Sequence, residues 1–167
     1  EPRGKGGCAQ GEAAGCSAMK ASGVTKRIHG LNASGRSPGR ASADALRAKG
    51  STISTYGSDS WTVPGCVRGW QTLLEKFGSR PLDALLRPAI ATAREGFPVT
   101  EVIAGYWKSG APRLRGWADS AATYLIEGRD APEAGDVFRN PNLASTYERL
   151  ANQGPEEFYS GSIAREI

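Results

Sequence analysis

The chain has few of the residue types that usually carry metal or nucleophile chemistry. Its 167 residues include one histidine, His29, so a Ser-His-Asp or Cys-His arrangement would have to use that residue. Its three cysteines, Cys8, Cys16 and Cys66, form no C-x-x-C pair, and their odd number argues against a disulfide framework and a zinc site. We therefore expect neither a metal nor a cofactor.

Long hydrophobic runs and blocks of one charge are also missing. No apolar stretch approaches the roughly 18 residues that a membrane-spanning helix needs. The 21 lysines and arginines against 17 aspartates and glutamates give a net charge of +4, and these residues are scattered. Because no basic stripe is interleaved with aromatic residues, we expect no nucleic-acid partner. Anionic small molecules or an acidic protein surface fit this mild charge equally well.

Glycine, in contrast, is abundant. The 22 glycines are nearly double the usual share of about 7%, which indicates many backbone positions that need positive φ or close approach. Residues 1–22 are rich in glycine and alanine and have little to bury. The sequence opens on EPRGKGG without an initiator methionine, and we interpret it as a fragment or a processed chain.

From residue 23 onward the pattern predicts one strand or two, followed by about six short helices. We expect a strand near residues 24–31, and Pro88 should kink or break the helix in which it lies. A two-stranded ribbon is not stable alone, so the strands should belong to a sheet with members outside this chain. The predicted fold is α+β with an incomplete sheet. Helices are predicted at 42–50, 67–78, 81–96, 99–110, 119–128 and 140–154.

Several residues invite a functional interpretation that the pattern does not favour. The GKGGCA segment, residues 4–9, has the G-x-G-x-x-A spacing of dinucleotide-binding loops but no room for the required preceding strand. We interpret His29 as an ordinary strand residue and Cys66 as a small buried residue rather than a reactive thiol. The adjacent Glu156 and Glu157 should favour the start of a helix rather than act as an acid–base pair. Packing is the expected role of the four tryptophans, Trp61, Trp70, Trp107 and Trp117.

Arg36 is the most promising candidate for a binding residue. The segment LNASGRSP, residues 31–38, surrounds this single cation with residues too small to cover it. A guanidinium offers two parallel donors, which match the geometry of a carboxylate. The residue types alone leave open a carboxylate-binding residue or an ordinary surface arginine.

Several segments together resemble the large subunit of gamma-glutamyltransferases. They are LNASGRSP, TVPGCVRGW, EKFGSRPLDALLRPAIATAREGFPVT and NPNLASTYERLANQGPEEFYSGSIAREI. The resemblance covers roughly residues 23–167, which we expect to form one incomplete domain of the large-subunit type. Residues 1–22 match poorly and are expected to be a divergent glycine-rich segment.

The resemblance implies a partial N-terminal-nucleophile hydrolase with an αββα fold, made as a precursor that cuts itself into two subunits. A threonine at the start of the small subunit would attack the gamma-glutamyl amide and form an acyl-enzyme. Water, an amino acid or a peptide would then take the acyl group. The implied partners are that small subunit and a gamma-glutamyl substrate such as glutathione.

For this chain, the resemblance implies a binding role rather than a catalytic one. In the family an arginine of the large subunit binds the α-carboxylate of the gamma-glutamyl group, and Arg36 takes the matching position. The surrounding NASGR differs from the RETAP type of the best-known glutathione-hydrolysing members. We expect no catalytic residue in this chain and no activity from it alone. The alternative is a non-catalytic pseudoenzyme or carboxylate-binding module that keeps only the scaffold.

Overall fold

The computed structural model describes residues 16–21, 28–50, 52–53 and 57–167, with side chains from residue 28 onward. The chain divides into two compact units, Glu1–Ser79 and Arg80–Ile167. Helices and short antiparallel strands occur in both units, so the fold class is α+β, as predicted. The first unit contains β1 (Cys16–Ala21), β2 (Ile28–Ala33), α1 (Ala43–Lys49), a 3-10 turn (Ser58–Ser60) and α2 (Cys66–Phe77). The second contains α3 (Leu82–Glu95), β3 (Phe97–Pro98), α4 (Glu101–Leu114), α5 (Ala118–Tyr124), β4 (Val137–Phe138), α6 (Pro141–Gln153), α7 (Glu156–Tyr159) and α8 (Ser162–Glu166).

The first unit is built on the antiparallel pair β1–β2, in which Cys16 lies opposite Ala33. The sequence did not predict β1, because its CSAMKA segment lacks the alternation of large apolar and polar residues that marks a strand. β2 continues two residues past its predicted end, and residues 24–27 lie outside the described part. Helix α2 approaches β2 closely at Gly69, where an added Cβ would lie 2.6 Å from the Cβ of Ala33.

Helix α1 forms as its flanking residues predict. Ser42 caps its N-terminus, with the Oγ accepting a hydrogen bond of 3.2 Å from the backbone N–H of Ala45. Gly50 follows its last turn. The helix has no buried residue, so its capping residues contribute more to its definition than its packing does.

The second unit is organised around the packing of α3 against α6. Leu86 and Ala93 of α3 are buried, as are Ala144 and Leu150 of α6, the last only 1% exposed. The expected break at Pro88 is wrong, because α3 runs continuously from Leu82 to Glu95. Proline removes one backbone donor, and the remaining hydrogen bonds together with the packing on α6 keep the helix intact.

Asn140 joins these two helices. Its Oδ1 accepts a hydrogen bond of 3.0 Å from the N–H of Leu143 and caps α6, while its own N–H donates to the carbonyl of Ala93 at 2.8 Å. Asn140 is 9% exposed, and the capping bond gives its buried amide oxygen a hydrogen-bond donor.

A smaller apolar cluster lies between α4 and α5. Ala111, Ala121 and Leu125 are buried, and Trp107 packs against them. The indole Nε1 of Trp107 donates a hydrogen bond of 2.8 Å to the carbonyl of Tyr124. Among the described helices, none combines the length and the apolar character that crossing a bilayer would require.

Candidate functional site

The loop that follows β2 is held in shape by a short-range side-chain turn. Oδ1 of Asn32 accepts hydrogen bonds from the N–H of Ser34 at 2.9 Å and from its hydroxyl at 2.7 Å. An asparagine that bonds two residues ahead stabilises a turn without help from regular structure. Strand β2 ends at Ala33, and the chain continues without regular structure through residues 34–38 to a turn at residues 39–40.

A second segment, residues 62–65, packs against this loop. The N–H of Val63 donates to the carbonyl of Arg36 at 2.8 Å, and the hydroxyl of Thr62 donates to the carbonyl of Ser34 at 2.9 Å. Gly35 has φ +89°, and an added Cβ would lie 1.9 Å from the carbonyl oxygen of Val63. The two backbones thus meet at a distance that only glycine permits, and the LNASGRSP and TVPGC segments form one structure.

Arg36 is anchored through its backbone and exposed through its side chain. Within the described residues, its guanidinium has no hydrogen-bond or ion-pair partner. The neighbouring Ser34, Gly35 and Ser37 are exposed as well and leave the approach to it open. The loop therefore holds an available cation at a defined backbone position, which suits recognition of a carboxylate or another anion.

The other residues singled out in the sequence do not join this loop in a catalytic arrangement. His29 is half-buried on β2, with its ring 5.0 Å from that of Phe77 in an edge-on contact, in agreement with a strand role. Cys66 is the first residue of α2 and is partly buried. The part of the chain that the structure describes contains no cluster of histidine, cysteine and acidic residues able to hold a metal ion. The GKGGCA segment lies outside the described residues.

The tryptophans divide into two groups. Trp107 packs in the apolar cluster and Trp70 is half-buried on α2, as expected of packing residues. Trp61 and Trp117 do not fit that expectation, because they are 64% and 59% exposed. The sequence could not separate the two groups, since exposure of a loop aromatic depends on what the fold brings over it.

A polar cluster around Glu157 was missed by the sequence analysis. Its carboxylate accepts hydrogen bonds from the hydroxyl and, at 2.8 Å, from the N–H of Ser162, and it lies 3.4 Å from the guanidinium of Arg149. The hydroxyl of Ser162, and then the backbone donors and Arg149, hold the pKa of Glu157 below its usual value. Glu166 pairs with the same arginine at 3.0 Å, and this contact lowers the pKa of Glu166.

The cluster ties α6, α7 and α8 together. Gly161 lies so close to Glu157 that an added Cβ would be 1.9 Å from the carboxylate. The polar groups of the Glu157 cluster already bond one another, so we assign the cluster a structural role. Glu157 and Ser162 are only five positions apart in the sequence, but only the fold shows that their side chains are in contact.

The described structure thus contains α+β elements and an exposed arginine on a loop whose close backbone contact requires glycine. A sequence profile described as gamma-glutamyltranspeptidase matches residues 14–167. The chain belongs to the gamma-glutamyltranspeptidase family.

Curated relatives agree with this assignment. The glutathione hydrolase proenzyme of Escherichia coli is 38% identical over 106 residues, which are 63% of this chain and 18% of that protein. The glutathione hydrolase-like YwrD proenzyme of Bacillus subtilis is 33% identical over 144 residues, which are 86% of this chain and 27% of that protein. The family is one of enzymes, and the chain spans between about a fifth and a quarter of the length of these two relatives.

Solved structures share the fold. The gamma-glutamyltranspeptidase of Helicobacter pylori superposes with a TM-score of 0.82 at 24% identity, over 97% of this chain and 45% of that chain. The cephalosporin acylase of Bacillus halodurans superposes with a TM-score of 0.79 at 37% identity, over 90% of this chain and 29% of that chain. The two names describe different substrates on one scaffold, so the fold alone does not specify the substrate.

Proposed function

We propose that this chain is the substrate-binding part of an enzyme that cleaves gamma-glutamyl amides and transfers the acyl group to water or an amino acid. The family match over residues 14–167 carries this proposal. The exposed Arg36 on its constrained loop adds a group suited to the α-carboxylate of the substrate. In this role the chain belongs to the large subunit, and its strands join a larger sheet in the αββα arrangement.

The chemistry itself requires a nucleophile from another segment of the complete protein. A threonine at the N-terminus of a small subunit attacks the amide carbonyl, and its own amine accepts the hydroxyl proton. The C–N bond breaks, the leaving amine takes up that proton, and an acyl ester remains on the threonine. Water or an acceptor amine then cleaves the ester. On this proposal the present chain supplies binding and orientation, and it is inactive alone.

Arg36 orients the substrate for this attack. Its guanidinium pairs with the α-carboxylate through two parallel N–H donors, which fixes both the position and the rotation of the glutamyl group. The loop is suited to this task because hydrogen bonds from Thr62 and Val63 fix its backbone and leave the Arg36 side chain exposed. A rigid support converts binding energy into correct placement of the reacting carbonyl.

Similarity to an acylase favours a second candidate function. The cephalosporin acylase of Bacillus halodurans is 37% identical over 90% of this chain, against 24% identity for the Helicobacter pylori transpeptidase. An acylase would use the same threonine chemistry on the side-chain amide of a cephalosporin. The two candidates differ in the substrate and share the scaffold.

Kinetics on the complete protein test the proposal. We expect turnover of gamma-glutamyl-p-nitroanilide, measured as the release of p-nitroaniline. Arg36→Ala should raise KM by about 10- to 100-fold, the loss expected for a hydrogen bond to a charged group, and Arg36→Lys should recover part of it. Arg47→Ala is the matched control, because Arg47 is an exposed arginine of α1 that pairs only with Asp44 within the described residues.

Each failure has a separate meaning. Unchanged KM and kcat in Arg36→Ala would show that Arg36 does not bind the carboxylate. Turnover of a cephalosporin amide without turnover of gamma-glutamyl amides would favour the acylase function. A complete protein that turns over neither class would support the non-catalytic alternative and contradict the enzyme proposal.

A further inference from the structure

A cleft opens beside the Arg36 loop, within the same unit. Its volume is about 240 Å³, and Pro38, Arg40, Leu46 and Trp61 are among the residues that line it. We call it the Arg40 cleft. Pro38 and Arg40 lie two and four positions after Arg36, so the cleft adjoins the loop on which Arg36 is presented.

The charges in the Arg40 cleft leave one cation available. Lys49 also lines it, but its Nζ bonds both carboxylate oxygens of Asp59 at 2.8 and 2.9 Å, which neutralises the pair. For the Arg40 guanidinium, in contrast, the described residues provide no hydrogen bond and no ion pair. The cleft therefore carries a net positive charge at Arg40 and can accept an anionic group.

Trp61 gives the cleft an apolar wall. The side chain is 64% exposed, although an indole is among the largest apolar surfaces a protein can bury. An exposed tryptophan beside an available arginine is suited to a ligand that has both a carboxylate and an aliphatic or thiol-bearing portion. The cleft thus differs from the open Arg36 loop, which offers a charge without an apolar wall.

The separation of the two arginines permits one substrate with two carboxylates to contact both. Arg36 and Arg40 are four positions apart in the chain, so their Cα atoms lie at most about 14 Å from each other. An extended tripeptide spans about 10 Å between its ends. Glutathione, the substrate in the names of several relatives, is a tripeptide with one carboxylate on its glutamyl group and another on its terminal glycine.

We propose that the Arg40 cleft binds the leaving-group side of gamma-glutamyl peptides, with Arg40 pairing with their C-terminal carboxylate and Trp61 covering the adjoining residue. This inference rests on the proposed function and adds a determinant of specificity to it. Arg36 holds the part common to all gamma-glutamyl substrates. Arg40 and Trp61 distinguish gamma-glutamyl peptides from gamma-glutamyl amides whose leaving group has no carboxylate.

The test compares two substrates on the complete protein. Glutathione has the second carboxylate, and gamma-glutamyl-p-nitroanilide lacks it. Arg40→Ala should lower kcat/KM for glutathione about tenfold more than for the anilide, and Arg40→Lys should restore part of that ratio. Arg36→Ala should lower both without changing their ratio. Arg47→Ala, an exposed arginine next in the chain but outside the cleft lining, should alter neither value.

Comparing two substrates on the same protein gives a rate ratio that does not depend on how much of a variant is folded. The wild-type protein should prefer glutathione over its glycine-amide derivative about tenfold, and Arg40→Ala should abolish that preference. Equal rates on the acid and the amide, or an unchanged substrate ratio in Arg40→Ala, would overturn the role of Arg40 while leaving the proposed function intact. Failure of the wild type to cleave either gamma-glutamyl substrate would instead overturn the proposed function, and this inference with it.

Discussion

Replacing Gly35 with alanine tests whether the close backbone contact shapes the Arg36 loop. The residue has φ +89°, where a side chain costs about 1–2 kcal/mol. The added Cβ would lie 1.9 Å from the carbonyl oxygen of Val63, so that the two segments would have to separate by about 1 Å or more. This separation would break the hydrogen bond of 2.8 Å from Val63 to Arg36, worth about 1 kcal/mol.

The local destabilisation should therefore be about 2–3 kcal/mol. Hydrogen exchange of the complete protein measures it directly, because the N–H of Val63 is protected by the bond that Gly35→Ala would break. We expect exchange at Val63 to accelerate about 30-fold or more, up to the limit of an unprotected amide. The KM for a gamma-glutamyl substrate should rise in parallel, since Arg36 loses its support.

Gly39→Ala is the matched control. It lies in the same loop, and an added Cβ there meets no atom within 4 Å. Its effect on stability should stay within about 0.5 kcal/mol. Wild-type exchange at Val63 together with an unchanged KM in Gly35→Ala would refute the argument that this contact positions the arginine.

Two further predictions concern the second unit. Because the folded pKa of Glu157 is depressed, its carboxylate stabilises the fold above the ordinary glutamate pKa of about 4.3, and this contribution disappears as the pH falls through the folded value. Glu157→Gln should thus lower stability at neutral pH and reduce the loss of stability between pH 7 and pH 3 in denaturant titrations; full acid dependence in this variant would contradict the prediction. Glu95→Gln, a change at an exposed residue of α3, should alter stability at neutral pH by less than about 0.5 kcal/mol. Leu150→Ala, at a side chain 1% exposed, should cost about 2–5 kcal/mol in the same titrations, and Leu143→Ala, at 38% exposure on the same helix, clearly less; equal losses would place the packing of α6 elsewhere.

The features that the sequence predicted most accurately are those that depend on residues close together in the chain. Ser42 and Gly50 bound α1 as expected, and the periodic apolar residues of α2, α3 and α6 indicated their helices correctly. The sequence did not predict features that depend on contact with another element of the fold. Strand β1 has no periodic pattern of its own and exists as the partner of β2, and α3 continues through Pro88 with the support of α6.

For the site, the sequence indicated one residue and the structure supplied its surroundings. The small neighbours of Arg36 predicted an accessible cation, and Arg36 is exposed. The role of Arg36 in binding a carboxylate stays a prediction. The support from residues 62–65 and the cleft at Arg40 were not predictable, because they join residues more than ten positions apart.

Local chemistry in the sequence thus determined the ends of α1 and α6 and the family to which the chain belongs. Tertiary structure alone decided which segments touch: Thr62 and Val63 against the Arg36 loop, and Glu157 against Ser162. The physical reason is that capping and turn formation act over a few residues, whereas contacts between distant backbones depend on how the whole chain packs. Gly35 combines a local and a tertiary requirement, since its positive φ favours glycine and its missing side chain allows the close approach of Val63.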